Sequence, residues 1–198
     1  TPVSNTSPSV SKVLADQNNN LYLSVVTTLS NINQYTVIKV KANGQKDSSY
    51  IPATIAGSTS PEIALDNQNR LILAVGSKVY RYNADGSVSL AGTDVASGRT
   101  VLALSSNSKG QIIAAVKDTG VNKYYLVAEA NGVFSLKSNY VYDYTVNSKV
   151  IVKVDNQDRV IVSSSSTDGS VRKNLLIRLE ANDLQADTSF GTDYGQYE

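Results

Sequence analysis

The strongest constraint on the fold of this chain is an internal repeat. Four polar turns each open with Asp or Asn and lead into an apolar run, and they begin about 40 to 50 residues apart. They span residues 16–23, 66–73, 107–114 and 155–162. Such spacing is typical of repeat proteins, in which each repeat is one supersecondary unit. We therefore expect four equivalent units within one domain.

A second marker follows each of these turns at a similar spacing. It stands at Asn43-Gly44, Asp85-Gly86, Asn131-Gly132 and Asn182-Asp183. Just upstream, apolar residues flank a position that is basic in three of the four repeats, which is the period-two pattern of a half-exposed strand. Asn-Gly and Asp-Gly predict hairpins, because both residues tolerate the positive φ of a type I′ turn. Each repeat is thus predicted to hold two hairpins, or about four strands.

Repeats of this kind predict an all-β fold, a β-propeller of about four four-stranded blades. Runs such as Leu71-Ile72-Leu73 suit strands buried on both faces between blades. Part of a larger propeller, completed by a second chain or by further residues, and a β-sandwich are the alternatives. We expect a linker or arm at 1–9 and a propeller at 10–198. The repeats are predicted at about 10–57, 58–97, 98–144 and 145–191.

The composition excludes several classes of chemistry. The 198 residues include no Cys and no His, so the chain cannot supply a structural zinc site, a thiol nucleophile, a haem ligand set or a Ser-His-Asp triad. A net charge of +1 argues against nucleic acid as a partner. No apolar run approaches the roughly 18 residues that span a bilayer, so we expect no membrane insertion.

Several segments resemble a known repeat family. They are 81–87 (Arg-Tyr-Asn-Ala-Asp-Gly-Ser), 187–191 (Asp-Thr-Ser-Phe-Gly) and, less closely, 47–50 (Asp-Ser-Ser-Tyr). With the Asp-led turns, they are similar to the delta-60 type β-propeller repeat of bacterial and phage proteins, over about residues 10–191. The resemblance implies a propeller on an extracellular or virion-surface protein, without assigned catalysis. The third repeat has Asn107 in place of Asp and the second lacks the Asp-Thr-Ser-Phe segment, which argues against one shared ligand site in every blade.

Two groups of residues are candidate sites. Tyr140, Tyr142 and Tyr144 alternate along a strand-like segment and would share one face, where they could stack on a sugar or anchor a protein partner. Packing between blades is the structural alternative. Asp155 and Asp158 form the turn best suited to Ca²⁺, although Asx residues are also what such turns require. We otherwise expect no cofactor and no catalytic residues.

These observations favour a non-enzymatic binding or adhesion module, outside the cell or on a virion, as in a phage tail fibre or a bacterial surface protein. Its partner would be a cell-surface glycan or protein, or other chains of a fibre, and it could form a homo-oligomer. A structural or assembly domain without a host ligand is the second hypothesis. A glycosidase-like propeller is the third, since it would need a carboxylate pair set apart from the repeated turns.

Overall fold

The computed structural model describes residues 7–96, 98–118, 120, 123–137, 142–143, 149–168, 171–181, 183–191 and 196–197. Strands account for the regular structure of these residues, and they form four antiparallel sheets. The predicted all-β, propeller-like fold is therefore confirmed. Over the described ranges, no helix has the length and apolar character needed to cross a membrane. The chain divides into two compact units, Thr1–Thr93 and Asp94–Glu198.

The first unit holds two sheets whose strands pair in chain order. Sheet 1 consists of β1 (Ser9–Ala15), β2 (Leu21–Leu29), β3 (Ile32–Val40) and β4 (Ile55–Gly57). Sheet 2 consists of β5 (Glu62–Leu65), β6 (Leu71–Val75), β7 (Lys78–Tyr82) and β8 (Val88–Asp94). Each sheet is thus an antiparallel meander, as two consecutive hairpins require.

The second unit repeats this arrangement with one addition. Sheet 3 consists of β9 (Arg99–Ser106), β10 (Ile112–Asp118), β11 (Lys123–Ala130), β12 (Val133–Leu136) and β13 (Tyr142–Asp143). Sheet 4 consists of β14 (Val150–Val154), β15 (Val160–Asp168), β16 (Val171–Leu179) and β17 (Gln196–Tyr197). The short β13 pairs with β11 beside β12, a fifth strand that the repeat did not predict.

Each unit buries an apolar core between its two sheets. In the first unit, Tyr22, Tyr35 and Val37 of sheet 1 pack in one cluster with Leu71 and Leu73 of sheet 2. The corresponding cluster of the second unit joins sheets 3 and 4. All five residues of β6 are buried, which confirms the prediction for the run that begins at Leu71. Face-to-face packing of successive sheets is the arrangement of neighbouring propeller blades.

The turn conformations correct one prediction. Asn131 and Gly132 both have positive φ, 54° and 79°, as a type I′ turn requires. At Asn43-Gly44 and Asp85-Gly86, however, only the glycine has positive φ. In these turns the strand ends lie one residue further apart, so a type I turn followed by a left-handed glycine closes the hairpin. The type I′ prediction was therefore wrong for these two hairpins.

Candidate binding surface

The two ends of each sheet have different character. We call the end where the first and second strands join, and where the third strand enters its turn, the turn edge; in sheet 1 it comprises 16–20 and 41–45. We call the opposite end, where the second and third strands join, the hairpin edge; in sheet 1 it comprises 29–33 and 56–59. The repeated sequence markers lie at the turn edge.

At the turn edge, the residue that opens each first turn accepts hydrogen bonds from its own turn. Its Oδ1 accepts the backbone N–H groups of the residues two and four positions further on, at 2.9–3.1 Å. The four accepting residues are Asp16, Asp66, Asn107 and Asp155. Because an amide oxygen makes the same two bonds, Asn107 preserves the turn without a carboxylate. The repeated Asx side chains at this edge therefore hold the conformation of their own turns.

The carboxylates of Asp16 and Asp155 are held ionised by their donors. Burial alone would raise the pKa of Asp16, but hydrogen bonds from Asn20 and Asn18 and the charge of Lys39 bring it below its ordinary value. The pKa of Asp155 is lowered in the same way: burial opposes the change, while donors on Arg159 and Gln157 outweigh it. These lowered pKa values show that the turn stabilises the ionised form of each carboxylate.

The candidate metal ligands lie in the first turn of sheet 4. Asp155 accepts the Arg159 guanidinium at 2.8 Å in addition to its backbone donors. Asp158 accepts the backbone N–H of Ser108 at 2.7 Å and its hydroxyl at 2.6 Å, which links the turns of sheets 3 and 4. Within the described residues, no group of three or more acidic side chains is placed to hold a metal ion. Ca²⁺ binding by this pair stays a prediction, and both side chains already serve protein donors.

Sequence reasoning missed a network around the basic position of the third strand. Arg178 donates from Nε to Asp187 at 2.6 Å, and its guanidinium lies 4.6 Å from the centre of the Phe190 ring. Lys39 lies near Asp47, at 3.8 Å, and 5.5 Å from the centre of the Tyr50 ring. The Asp-Thr-Ser-Phe and Asp-Ser-Ser-Tyr segments are therefore partners of a basic strand residue. Their recurrence with that residue in repeats one and four was the available signal.

The predicted tyrosine row lies mostly outside the described residues. Tyr140 and Tyr144 belong to the residues that the structure does not describe. Tyr142 is described only by its backbone in β13, where it pairs with Tyr124 of β11. A ligand at these three tyrosines stays a prediction.

The hairpin edge lacks the repeated sequence of the turn edge. Its second-to-third strand connections read Ser-Asn, Gly-Ser, Thr-Gly-Val-Asn and Gly-Ser. In sheet 1, Ser30 and Asn31 have φ of 51° and 63°, so this two-residue turn is of type I′. Because these connections share no turn motif, their sequences can differ from sheet to sheet. Variable loops on a rigid scaffold commonly carry binding residues.

A surface cavity of about 530 Å³ opens at the hairpin edge of sheet 1. It is lined by Asn31, Ile32, Asn33, Ala56, Gly57 and Ser58. Pairing of Asn33 with Gly57 places the two lining segments side by side. The Asn33 side chain is fixed at both ends: its Oδ1 accepts the Thr28 hydroxyl at 2.9 Å, and its Nδ2 donates to the Tyr35 hydroxyl at 3.3 Å.

The residues that line this cavity carry no formal charge. No Asp, Glu, Lys or Arg occurs in residues 21–38 or 48–61, the stretches of chain that contain its lining residues. Leu29 and Ile32, opposite one another beside the turn, are 46% and 52% exposed. Asn31 and Ser58 add amide and hydroxyl groups. This combination of exposed apolar carbon and neutral hydrogen-bonding groups suits an uncharged ligand.

Comparisons with known proteins bear on the fold. No family model and no curated protein matches the chain. Among solved structures, it is similar to the extracellular domain of BT4673 from B. thetaiotaomicron, with a TM-score of 0.51, 10% identity and 77% of this chain covered. It is also similar to a protein of unknown function from Bacteroides caccae, with a TM-score of 0.52, 10% identity and 89% of this chain covered. The chain spans 20% of the first protein and 65% of the second.

Proposed function

We propose that this chain is a non-enzymatic binding module of the β-propeller type and that the hairpin edge of sheet 1 holds its ligand. The observation that carries the proposal is the contrast between the two edges of sheet 1. At the turn edge the repeated Asx side chains are engaged by their own turns. At the hairpin edge an uncharged cavity adjoins two exposed apolar residues, Leu29 and Ile32.

The ligand class that best fits this edge is a neutral glycan. Sugar rings present apolar C–H faces together with hydroxyl groups, which match an exposed isoleucine flanked by asparagine and serine. The absence of charged residues from the cavity lining disfavours acidic sugars and phosphate groups, because these need a cationic partner. The hydroxyls of Thr28 and Tyr35 hold the side-chain amide of Asn33 in place. This supports recognition, because an amide that is already immobilised loses little entropy on binding.

An extracellular setting is part of this proposal. The BT4673 neighbour is an extracellular domain, and the sequence resembles delta-60 type propellers of bacterial and phage surface proteins. We place the module on a bacterial surface or a phage fibre, where recognition of a neutral glycan would serve adhesion. The repeated acids act on their own turns, which supports binding without turnover.

A glycan array that includes neutral, sialylated and sulfated oligosaccharides tests this proposal. We expect binding to neutral members and none that depends on acidic groups. Ile32→Ser should weaken binding to the best neutral oligosaccharide by at least about tenfold, which corresponds to the loss of one buried apolar contact of about 1.4 kcal/mol.

Ile51→Ser is the matched control, because Ile51 is 76% exposed and lies in the same unit near the turn edge of sheet 2, where its backbone approaches Gly86. This variant should bind like the original chain. Equal weakening by both substitutions would contradict the assigned site. Release of reducing sugar from the bound oligosaccharide would contradict the non-enzymatic assignment and favour the glycosidase hypothesis.

A further inference from the structure

The two faces of each sheet have distinct packing roles. We define the odd face by the first and third residues of the second strand and the even face by the second and fourth. In the first unit the even face of sheet 1, at Tyr22, packs with the odd face of sheet 2, at Leu71 and Leu73. In the second unit the even face of sheet 3, at Ile113, packs with the odd face of sheet 4, at Val160. One interface is therefore built twice.

The odd face of sheet 1 has apolar residues at the positions of this interface, and two of them are exposed. Val13, Leu23 and Ile38 are paired across β1, β2 and β3 and share this face with Leu21. Leu21 is 39% exposed and Val13 is 53% exposed, whereas the equivalent Leu71 is fully buried. The face is continuous, apolar and without charged residues at these positions, so it resembles an interface that lacks its partner.

The even face of sheet 4 is the complementary surface. Ile151, Ser163 and Leu176 are paired across β14, β15 and β16. They share this face with Ile161 and with its two pairing partners, Lys153 and Arg178. Ile151 is 41% exposed, and Ile161, Ser163 and Leu176 are half-buried. The equivalent even-face residue Ile113 is buried in its core.

We propose that the odd face of sheet 1 packs on the even face of sheet 4 of a second copy of this chain, in the register of the two interfaces already present. Two such contacts related by a twofold axis would join two chains and leave neither face exposed. A second copy is the occupant we favour, because it supplies the missing complementary face with the same residue positions.

A polar contact of the existing interface supports the same register. Lys39 of sheet 1 donates from Nζ to the backbone carbonyl of Ala84, in the third-to-fourth strand turn of sheet 2. Arg178 occupies the equivalent position in sheet 4, and Ala42 is the equivalent turn residue of sheet 1. Arg178 has five N–H donors, and within the described residues two of them bind Asp187 and Ser189. It therefore retains donors for the Ala42 carbonyl of the partner chain.

Introduced thiols test this contact, since the chain has no cysteine of its own. In the existing interface Ser108 donates to Asp158, and the equivalent residues of the proposed contact are Asn156 and Asn19, both exposed. We expect a mixture of Asn19→Cys and Asn156→Cys chains to give a covalent heterodimer with a short bismaleimide. Each variant alone should give little covalent dimer. Failure of the mixture to cross-link, or a double variant that links only within one chain, would overturn the proposal.

The mass in solution gives an independent readout. Light scattering should show twice the 21.2 kDa of the chain at high concentration. Val13→Lys should raise the dissociation constant of the dimer at least about tenfold, because the contact would bury an unpaired ammonium group. Val133→Lys is the matched control: Val133 is 65% exposed and lies on β12 of sheet 3, which contributes to neither face. A monomer at every concentration, or equal effects of the two variants, would refute the proposal.

Discussion

Removal of the Asp66 side chain should destabilise the protein by more than any exposed turn substitution. The Asp66 carboxylate is fully buried. Its Oδ1 accepts the backbone N–H groups of Gln68 and Arg70, each at 2.9 Å, and its Oδ2 accepts Nε of Arg70 at 2.7 Å. Asp66→Ala removes all three hydrogen bonds. Their N–H donors are then left without a protein acceptor in a partly buried turn.

The expected magnitude follows from these contacts. Each lost backbone bond costs about 1 kcal/mol, and loss of the partly buried ion pair with Arg70 adds about 1 kcal/mol, for a total of about 3 kcal/mol. Asp66→Asn should cost only about 1 kcal/mol, because an amide oxygen keeps both backbone bonds, as Asn107 does in sheet 3.

Urea unfolding followed by far-ultraviolet circular dichroism measures both values, from the change in midpoint at an unchanged slope. Asp85→Ala is the comparison, since Asp85 makes a similar bond to the N–H of Ser87 in an exposed turn, and its effect should be smaller. An Asp66→Ala variant within about 0.5 kcal/mol of the original chain would refute the argument that buried Asx caps hold the repeated turns.

Two further predictions concern acid stability and close packing. Hydrogen bonds from Ser189 and Arg178 outweigh the effect of burial and lower the pKa of Asp187 from 3.8 to about 2. As the pH drops through this range, the unfolded chain is protonated before the folded chain, so the free energy of unfolding falls. Asp187→Asn should flatten the stability profile between about pH 4 and pH 2, and an unchanged slope would contradict this role. Gly57→Ala should cost about 1–3 kcal/mol in thermal or urea unfolding, because the new Cβ would lie 2.3 Å from Cγ1 of Val75. Gly120→Ala, where the nearest atom is 3.6 Å away, should be nearly neutral, and equal costs would contradict the packing argument.

The number and type of sheets could be predicted because the same kind of turn sequence occurs four times along the chain. Asp66 and its equivalents mark where a strand must reverse, and the following apolar run, as at Leu71, marks a strand buried on both faces. Local chemistry decides these features, so they can be read without knowing the neighbours. The type I′ error at Asn43 has a local cause too: one residue more or less between strand ends selects a different turn.

The candidate site could not be predicted in this way. The cavity forms because β4 pairs with the start of β3 and brings Gly57 beside Asn33, which lie 24 positions apart along the chain. This depends on pairing register between segments without a repeated motif. The pairing of Asp187 with Arg178 did have a signal in the sequence, because an Asp-led segment follows a basic strand residue in repeats one and four. The odd face of sheet 1 has apolar residues at the same positions as its buried equivalents, so its exposure is visible only in the structure.

Hydrogen–deuterium exchange with and without the best neutral oligosaccharide tests the central claim most directly, because it locates the ligand on the chain. The account predicts slower exchange in residues 29–33 and 56–59, at the hairpin edge of sheet 1. It predicts no change in the turns at 16–20 and 66–70. Protection confined to those turns, or to the segment that contains Tyr142, would contradict the assignment of binding to the uncharged edge.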